Sequence, residues 1–365
     1  MVLSYFPYKV GGALAWNDPS YIQRQADLDL LQAIERGKFA YVLGSRQLGK
    51  SSLRIQARHQ LTQKGHQCAT IQATQLIAQR QSDSVKDLLC MLHIELISDN
   101  LQPLLQWLQS VSELSPVDCL IRFVDDFLAE ILSRRSAVVF IDEIDALLET
   151  PLSSVLFSWM AKCYDSRATN PMYQQLNFVV LGTAILSDLP QVGSLFSQGC
   201  NISLSPFKLF ETYNFQAGFE EKLEAPTTLL QAVYRWTHGQ PFLTQKLCHI
   251  ISTLIDNLVQ PSSNPIQLSA KTLNQWVDDI VRSHIIQDWQ TKDEPIHLRA
   301  IGHRINRSFN KKALLSLYHN LLLDKPIEAN NSYTQAELLL SGLAITEDGY
   351  LQIANEIYRA IFKVK

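Results

Sequence analysis

The sequence predicts an α/β chain: a parallel sheet covered by helices, then an all-helical stretch, then a winged-helix unit of three helices and a hairpin. Three observations carry this. Short, largely apolar runs at 39–43, 68–72, 137–141 and 178–181 alternate with amphipathic segments at helical spacing, as expected of parallel strands buried on both faces. After Pro206 the alternation stops and only helical periodicity remains. Near the C-terminus Asp348-Gly349 separates two apolar runs, a strong hairpin signal.

Taken in order, residues 5–20 are aromatic and turn-rich and read as an extended arm, with Asp18 or Ser20 as a cap for the next helix. A helix is predicted over 22–34, stopped by Gly37, followed by a strand at 39–43, a helix over 50–63 and a strand at 68–72. Helices over 85–96, 101–111 and 117–132 precede the strand at 137–141; a helix over 155–164 precedes the strand at 178–181, and a fifth strand is expected at 201–204. Helices are then predicted over 208–223, 226–238, 241–258 and 269–287, the last two divided by a polar segment at 260–265. Helices over 295–306, 311–323 and 335–340 and strands at 343–346 and 350–353 complete the chain. The expected domains are an arm (1–20), an α/β domain (21–205), a helical lid (206–292) and a winged helix (293–365).

The 365 residues suit two or three domains, and 46% hydrophobic against 18% charged residues is ordinary globular composition. A net charge of −3 gives no general attraction to nucleic acid or an anionic membrane, so any such contact must come from a local patch. Six cysteines, none at CxxC spacing, read as reduced thiols rather than a metal site or a disulfide framework. Residues 1–16 hold only Lys9 as a basic residue, unlike a secretory signal, and no apolar run reaches the roughly 20 residues of a membrane span. A soluble, cytoplasmic protein with no membrane contact is expected.

Gly44-Ser45-Arg46-Gln47-Leu48-Gly49-Lys50-Ser51 matches the phosphate-loop (Walker A) spacing, with a strand before it and a helix after. Glycines let backbone N–H groups curl around phosphates, and the helix N-terminus adds partial positive charge. Lys50 supplies a point charge for the β and γ phosphates and Ser51 a hydroxyl for magnesium, while Ser52 and Arg46 stand beside them. The apolar run ending in Asp142-Glu143 reads as the Walker B strand. Acids at the carboxyl end of a parallel strand lie where ligands bind, so Asp142 is the second magnesium residue and Glu143 the water-polarising base. The helix-start role of Glu143 and Asp145 is the plainer alternative. A P-loop NTPase fold holding nucleotide phosphates with Mg²⁺ follows, while the choice of ATP and ADP is carried by the family resemblance given below.

Thr183, at the tip of the fourth strand, is the candidate γ-phosphate sensor, with Asn177 second; an ordinary strand-ending turn is the equal alternative. In His238-Gly239-Gln240-Pro241 glycine ends one helix and proline starts the next, and such a Gly-x-Pro turn can in addition lean on the nucleotide and report its state. Arg167 reads either as an arginine finger for a neighbouring chain or as a solvated helix-end cation. Arg299, Arg304, Arg307, Lys311, Lys312 and Lys325 form a basic stretch that suits DNA phosphates, a protein partner or plain solvent.

The run Tyr41-Val42-Leu43-Gly44-Ser45-Arg46-Gln47-Leu48-Gly49-Lys50-Ser51-Ser52-Leu53-Arg54 resembles the bacterial AAA-like domain ATPases abundant in cyanobacteria. So do Gly11-Gly12-Ala13-Leu14, Pro19-Ser20-Tyr21, Arg24-Gln25-Ala26-Asp27, Phe140-Ile141-Asp142-Glu143-Ile144-Asp145 and Gly239-Gln240-Pro241, with Leu340-Ser341-Gly342-Leu343 and Asn355-Glu356-Ile357-Tyr358 at the C-terminal end. The resemblance spans nearly the whole chain. It implies a signal-transduction ATPase of the STAND type, related to AAA+ and origin-recognition ATPases, whose ADP-bound closed form opens on ATP exchange, often with self-assembly. It implies that Tyr21 and Ile22 line the adenine site and that Pro241 is the lid contact. Relatives often carry WD-repeat or other effector modules after this unit, whereas this sequence ends at Lys365. Relatives also carry arginines in the segment matching 196–202, which here has none, implying poor hydrolysis or function without self-assembly.

The expectation is a nucleotide-dependent switch in signalling with weak ATPase activity (ATP and water to ADP and phosphate), using Glu143, Lys50 and Thr183 in catalysis. Protein partners are expected through the lid or winged helix. The rivals are a DNA-associated, origin- or transposition-type ATPase and a scaffold that holds ADP.

Overall fold

The computed structural model describes residues 6–78, 84–258, 265–330 and 332–363. It divides into two compact units: Gln25–Gly44 with Lys50–Leu204, and Met1–Arg24, Ser45–Gly49 and Ser205–Lys365.

The first unit is the α/β sheet domain. Its elements run α1 (Gln25–Glu35), β1 (Ala40–Leu43), α2 (Lys50–Gln63), β2 (Gln67–Gln72), α3 (Ala73–Ala78), α4 (Ser84–Leu96), α5 (Gln102–Ser110), α6 (Pro116–Phe123), α7 (Ala129–Arg134), β3 (Ala137–Asp142), α8 (Pro151–Asp165), β4 (Leu176–Gly182) and β5 (Cys200–Asn201). The strands form one sheet in the order β2-β3-β4-β1-β5, and every pairing is parallel. β3 and β4 are buried at every position, which is why they read as unbroken apolar runs. Trp159 from α8 meets Phe178 of β4 edge-on at 4.8 Å between centroids.

Three departures from the sequence reading occur here. The expected strand at 201–204 shrinks to Cys200–Asn201, paired only with Ala40 and Tyr41. The single helix expected over 117–132 is broken by a π turn, Val124–Leu128, between α6 and α7. Helix α1 starts at Gln25 rather than at residue 22, because Ile22 is buried in the core of the other unit.

The second unit is helical. Residues 6–20 form the extended arm; the first five residues of the sequence and residues 260–264 of the polar segment lie outside the described residues. Gln245 ties two points of the arm together, accepting from the Lys9 N–H (2.8 Å) and donating to Ser20 Oγ (3.3 Å). The predicted helix over 208–223 is instead the short α9 (Leu209–Thr212) and a 3-10 turn, Tyr213–Gly218. Tyr8 explains the break. Its hydroxyl takes the Phe215 carbonyl (2.7 Å) and lies so close to Gly218 that a Cβ there would sit 2.2 Å away. Next come α10 (Pro226–Thr237), α11 (Pro241–Leu258), α12 (Ala270–Ile280), a π turn at Val281–Ile286 and α13 (Trp289–Lys292).

The C-terminal elements are α14 (Leu298–Arg307), α15 (Lys311–Leu322), α16 (Tyr333–Ser341), the antiparallel hairpin β6 (Ala344–Glu347) and β7 (Tyr350–Ile353), and α17 (Glu356–Ile361). Positive φ at Asp348 (48°) and Gly349 (82°) makes the hairpin turn. The last helix, α17, was not legible as a helix; Asn355 caps it by accepting from the Tyr358 N–H at 2.9 Å. Helix α14 begins three residues later than predicted because the buried Asp293 carboxylate accepts from the N–H groups of His297, Leu298 and Arg299. Among the described residues no helix is long and apolar enough to cross a membrane, and all six cysteines are free thiols.

Arg167 is not a solvated helix-end cation but is engaged within its own chain. Its guanidinium lies 3.7 Å from the Tyr164 ring centroid. It donates to the carbonyls of Gly37, Tyr173 and Leu176 and to Asn177 Oδ1. Asn177, the second sensor candidate, is thereby engaged near the start of β4, at the strand's opposite end from Gly182. Arg167→Ala is expected to cost about 2–4 kcal/mol of stability. Urea unfolding checks this: a loss below about 0.5 kcal/mol, within the range of ordinary surface changes, contradicts the anchoring role. In the helical unit, burial pushes the His297 pKa down to about 3, and its Nε2 lies 2.6 Å from the Tyr358 hydroxyl. The unfolded chain takes up that proton near pH 6.5 and the folded chain does not, so stability falls as pH drops below about 6.5. Melting between pH 7 and 4 should show this slope, and His297→Gln should flatten it.

Candidate functional site

In the sheet unit, β1 and β4 pair so that Leu43 lies beside Gly182. The Gly44 N–H then donates to the Gly182 carbonyl at 3.2 Å. Helix α2 starts at Lys50, and the N–H groups of its first turn have no partners within the helix, a natural seat for an anion. The Lys50 ammonium donates to the Gly44 carbonyl at 2.9 Å and to Thr183 Oγ1 at 3.4 Å. Thr183 is itself fixed, its N–H donating to Asp145 Oδ1 at 2.8 Å. Gly182 is needed just before it, since a Cβ there would lie 2.5 Å from Ile144 Cγ2.

Asp142 ends β3 and is 2% exposed. Its Oδ2 accepts from Arg54 Nε at 2.9 Å and its Oδ1 from the Glu143 N–H at 3.0 Å. Glu143 has left-handed backbone (φ 58°), which turns its side chain out of the strand. It is exposed, and Oε2 accepts from the Thr74 hydroxyl at 2.8 Å. Ser51 is half-buried one residue after Lys50, and Ser52 is buried beside it.

The turn Ser45–Gly49 is grouped with the helical unit. Gln47 (φ 59°) and Gly49 (φ 94°) give it the curled backbone that the motif implies. Arg24 donates to the carbonyls of Leu48 (2.9 Å) and Ser205 (3.0 Å). Gln240 Nε2 donates to the Gln47 carbonyl (3.2 Å), and Gln47 Nε2 donates to the Ile296 carbonyl (3.3 Å). Ser45 is buried and Arg46 exposed. Tyr21 is half-buried, Ile22 is 3% exposed, and Pro241 is buried as the first residue of α11. Gly239 just before it has φ +72°, and a Cβ there would meet the Phe207 carbonyl oxygen at 1.9 Å, so no other residue fits.

The structure thus gathers Lys50, Thr183 and Gly44 directly, with Asp142 and Glu143 ending the strand beside β4. Sequence reasoning did not anticipate the contacts of Arg54 and Thr74 with the two acids of the sheet unit, or, within the helical unit, those of Arg24 and Gln240 with the Ser45–Gly49 turn. Arg54 carried a signal: it falls in helical register with Ala57 and Leu61 on the buried face of α2, where a cation requires a partner. Among the described residues no group of three or more His, Cys, Asp or Glu is placed to hold a metal. One hydroxyl (Ser51) and one carboxylate (Asp142) fit magnesium, which keeps several waters and is commonly completed by phosphate oxygens.

The AAA-like domain family matches residues 10–364. An uncharacterised WD repeat-containing protein of Synechocystis is 36% identical over 369 residues, covering all of this chain but only 30% of that protein's length. Among solved structures, a Walker-type ATPase of Pyrococcus abyssi superposes with a TM-score of 0.56 at 16% identity, over 97% of this chain and 99% of that one. The ORC2 protein of Aeropyrum pernix gives 0.51 at 14% identity, over 97% of each chain. These two likenesses show a P-loop NTPase fold. On the family match and the Synechocystis relative, the chain belongs to the AAA-like domain family.

Proposed function

We propose that the chain binds ATP and ADP with magnesium and hydrolyses ATP slowly, using the nucleotide as the setting of a conformational switch in signalling. The observation that carries this is the placement of the Lys50 ammonium. It is held by a carbonyl and a hydroxyl at the open N-terminus of α2, at the sheet end where Asp142 emerges. Magnesium, held by Ser51 and Asp142, would neutralise phosphate charge. Lys50 spans the β and γ phosphates, and Thr183, already bonded to it, is positioned to sense the γ phosphate. Glu143 accepts the proton of the attacking water as the bond from the γ phosphorus to the bridging oxygen breaks. In the present structure its carboxylate is bonded to Thr74, which suits slow turnover. The WD repeats named for the Synechocystis relative support coupling of such a switch to a protein module.

The rival reading through DNA rests on the basic stretch. Arg307, Lys311 and Lys312 are exposed around the turn between α14 and α15, beside a fully exposed Phe309. Helix α16 contains no Lys or Arg, and the hairpin tip carries Glu347 and Asp348. This distribution favours a protein over a duplex as the partner of that surface. Tight duplex binding whose affinity falls steeply with salt and drops when Arg307, Lys311 and Lys312 are neutralised would reverse that preference.

Nucleotide titration and turnover on three proteins test the main reading. Lys50→Ala is expected to weaken ATP binding by about 100-fold or more, since it removes the point charge assigned to the β and γ phosphates. Glu143→Gln should keep binding and lose turnover by about 10²-fold or more. Undiminished affinity in Lys50→Ala refutes the assignment. Tight ADP with no turnover in the unaltered protein favours the scaffold.

A further inference from the structure

We infer that Arg54 is a built-in counter-cation for Asp142, so that nucleotide binding by this chain depends only weakly on magnesium. The inference rests on the nucleotide reading above. Asp142 is the sole carboxylate assigned to the metal, and it is almost fully buried. A buried carboxylate with no cation at hand would draw a divalent ion strongly. Here Arg54 already meets it, Nε to Oδ2 at 2.9 Å, with both side chains under a tenth exposed.

The guanidinium is also fixed from behind. Arg54 Nη1 donates to Thr70 Oγ1 at 3.2 Å, and Arg58 Nη1 donates to the same hydroxyl at 3.1 Å. Arg58 pairs with Glu95 of α4 at 2.9 Å, and Glu95 Oε2 accepts from the Thr70 N–H at 3.2 Å. These contacts join α2, β2 and α4 into one charge-balanced frame, two arginines against two carboxylates. Arg54 is therefore not free to swing away when an ion approaches. Two lone-pair positions on Asp142 are taken by Arg54 and by the Glu143 N–H. The remaining ones meet an approaching ion with a positive charge beside them opposing it. Arg54 is a positioning residue: it holds Asp142 and does not touch the phosphates.

The test is titration of nucleotide-stripped protein with a fluorescent ADP in EDTA and again in millimolar magnesium chloride. The unaltered protein is expected to bind in both, with affinities within about threefold. In Arg54→Gln the bare carboxylate should make binding magnesium-dependent by about tenfold or more. Magnesium alone should then raise the melting temperature of that variant and not of the parent, a readout that lost packing would not produce. Arg54→Lys, which retains the charge, should restore the parent's magnesium response. If Arg54→Gln does not fold, Thr70→Val, which cuts the second anchor, is read the same way and should increase magnesium dependence about threefold. Equal magnesium dependence in parent and variants overturns the inference while leaving nucleotide binding intact. No nucleotide binding by the parent in either buffer overturns the nucleotide reading and this inference with it.

Discussion

The register of β4 between β1 and β3 is the constraint on which the sheet unit depends. Val179 lies beside both Ala40 and Phe140, so the carboxyl ends of the three strands are level. Leu43, Asp142 and Gly182 then finish at one edge, and Lys50 reaches Thr183 across it. Because side chains alternate along a strand, a one-residue slip would turn Asp142 and its neighbours to the other face. Burial of every residue of β3 and β4 on both faces makes such a slip prohibitive. The apolar core and the polar edge are consequences of the same pairing.

At that edge the charges are spaced by backbone geometry as much as by sequence. Left-handed backbone at Glu143 separates it from Asp142, so one acid is buried against Arg54 and the next is exposed against Thr74. Gly182 lets the turn after β3 pack closely enough for Asp145 to fix the Thr183 amide. Adjacent acids in the sequence therefore receive different environments, one buried against a cation and one exposed, as the roles proposed for them in metal holding and water activation would require.

Much of this was legible in the sequence. The phosphate loop and the acidic strand end are local patterns whose spacing is their geometry, and the four main strands were visible as apolar runs because the sheet is buried on both sides. Features that depend on distant partners were not. The helix expected over 208–223 breaks because Tyr8, some two hundred residues earlier, takes one of its carbonyls. Arg167 looks like a free helix-end cation until β4 and Gly37 are placed around it. Helix α14 starts late because Asp293 satisfies its first amides from outside the apolar pattern. Arg54 lay between these cases: its position on an apolar helix face signalled a buried partner, but only the strand pairing identified Asp142.

The central claim is that the loop from Gly44 to Ser51 holds the phosphates of an adenine nucleotide. Calorimetric titration of nucleotide-stripped protein with ADP and with ATP tests it most directly. The account predicts one-to-one binding of both, at micromolar or tighter dissociation constants on the order of −8 kcal/mol. Absence of binding heat, together with an unchanged melting temperature at millimolar nucleotide, would contradict it.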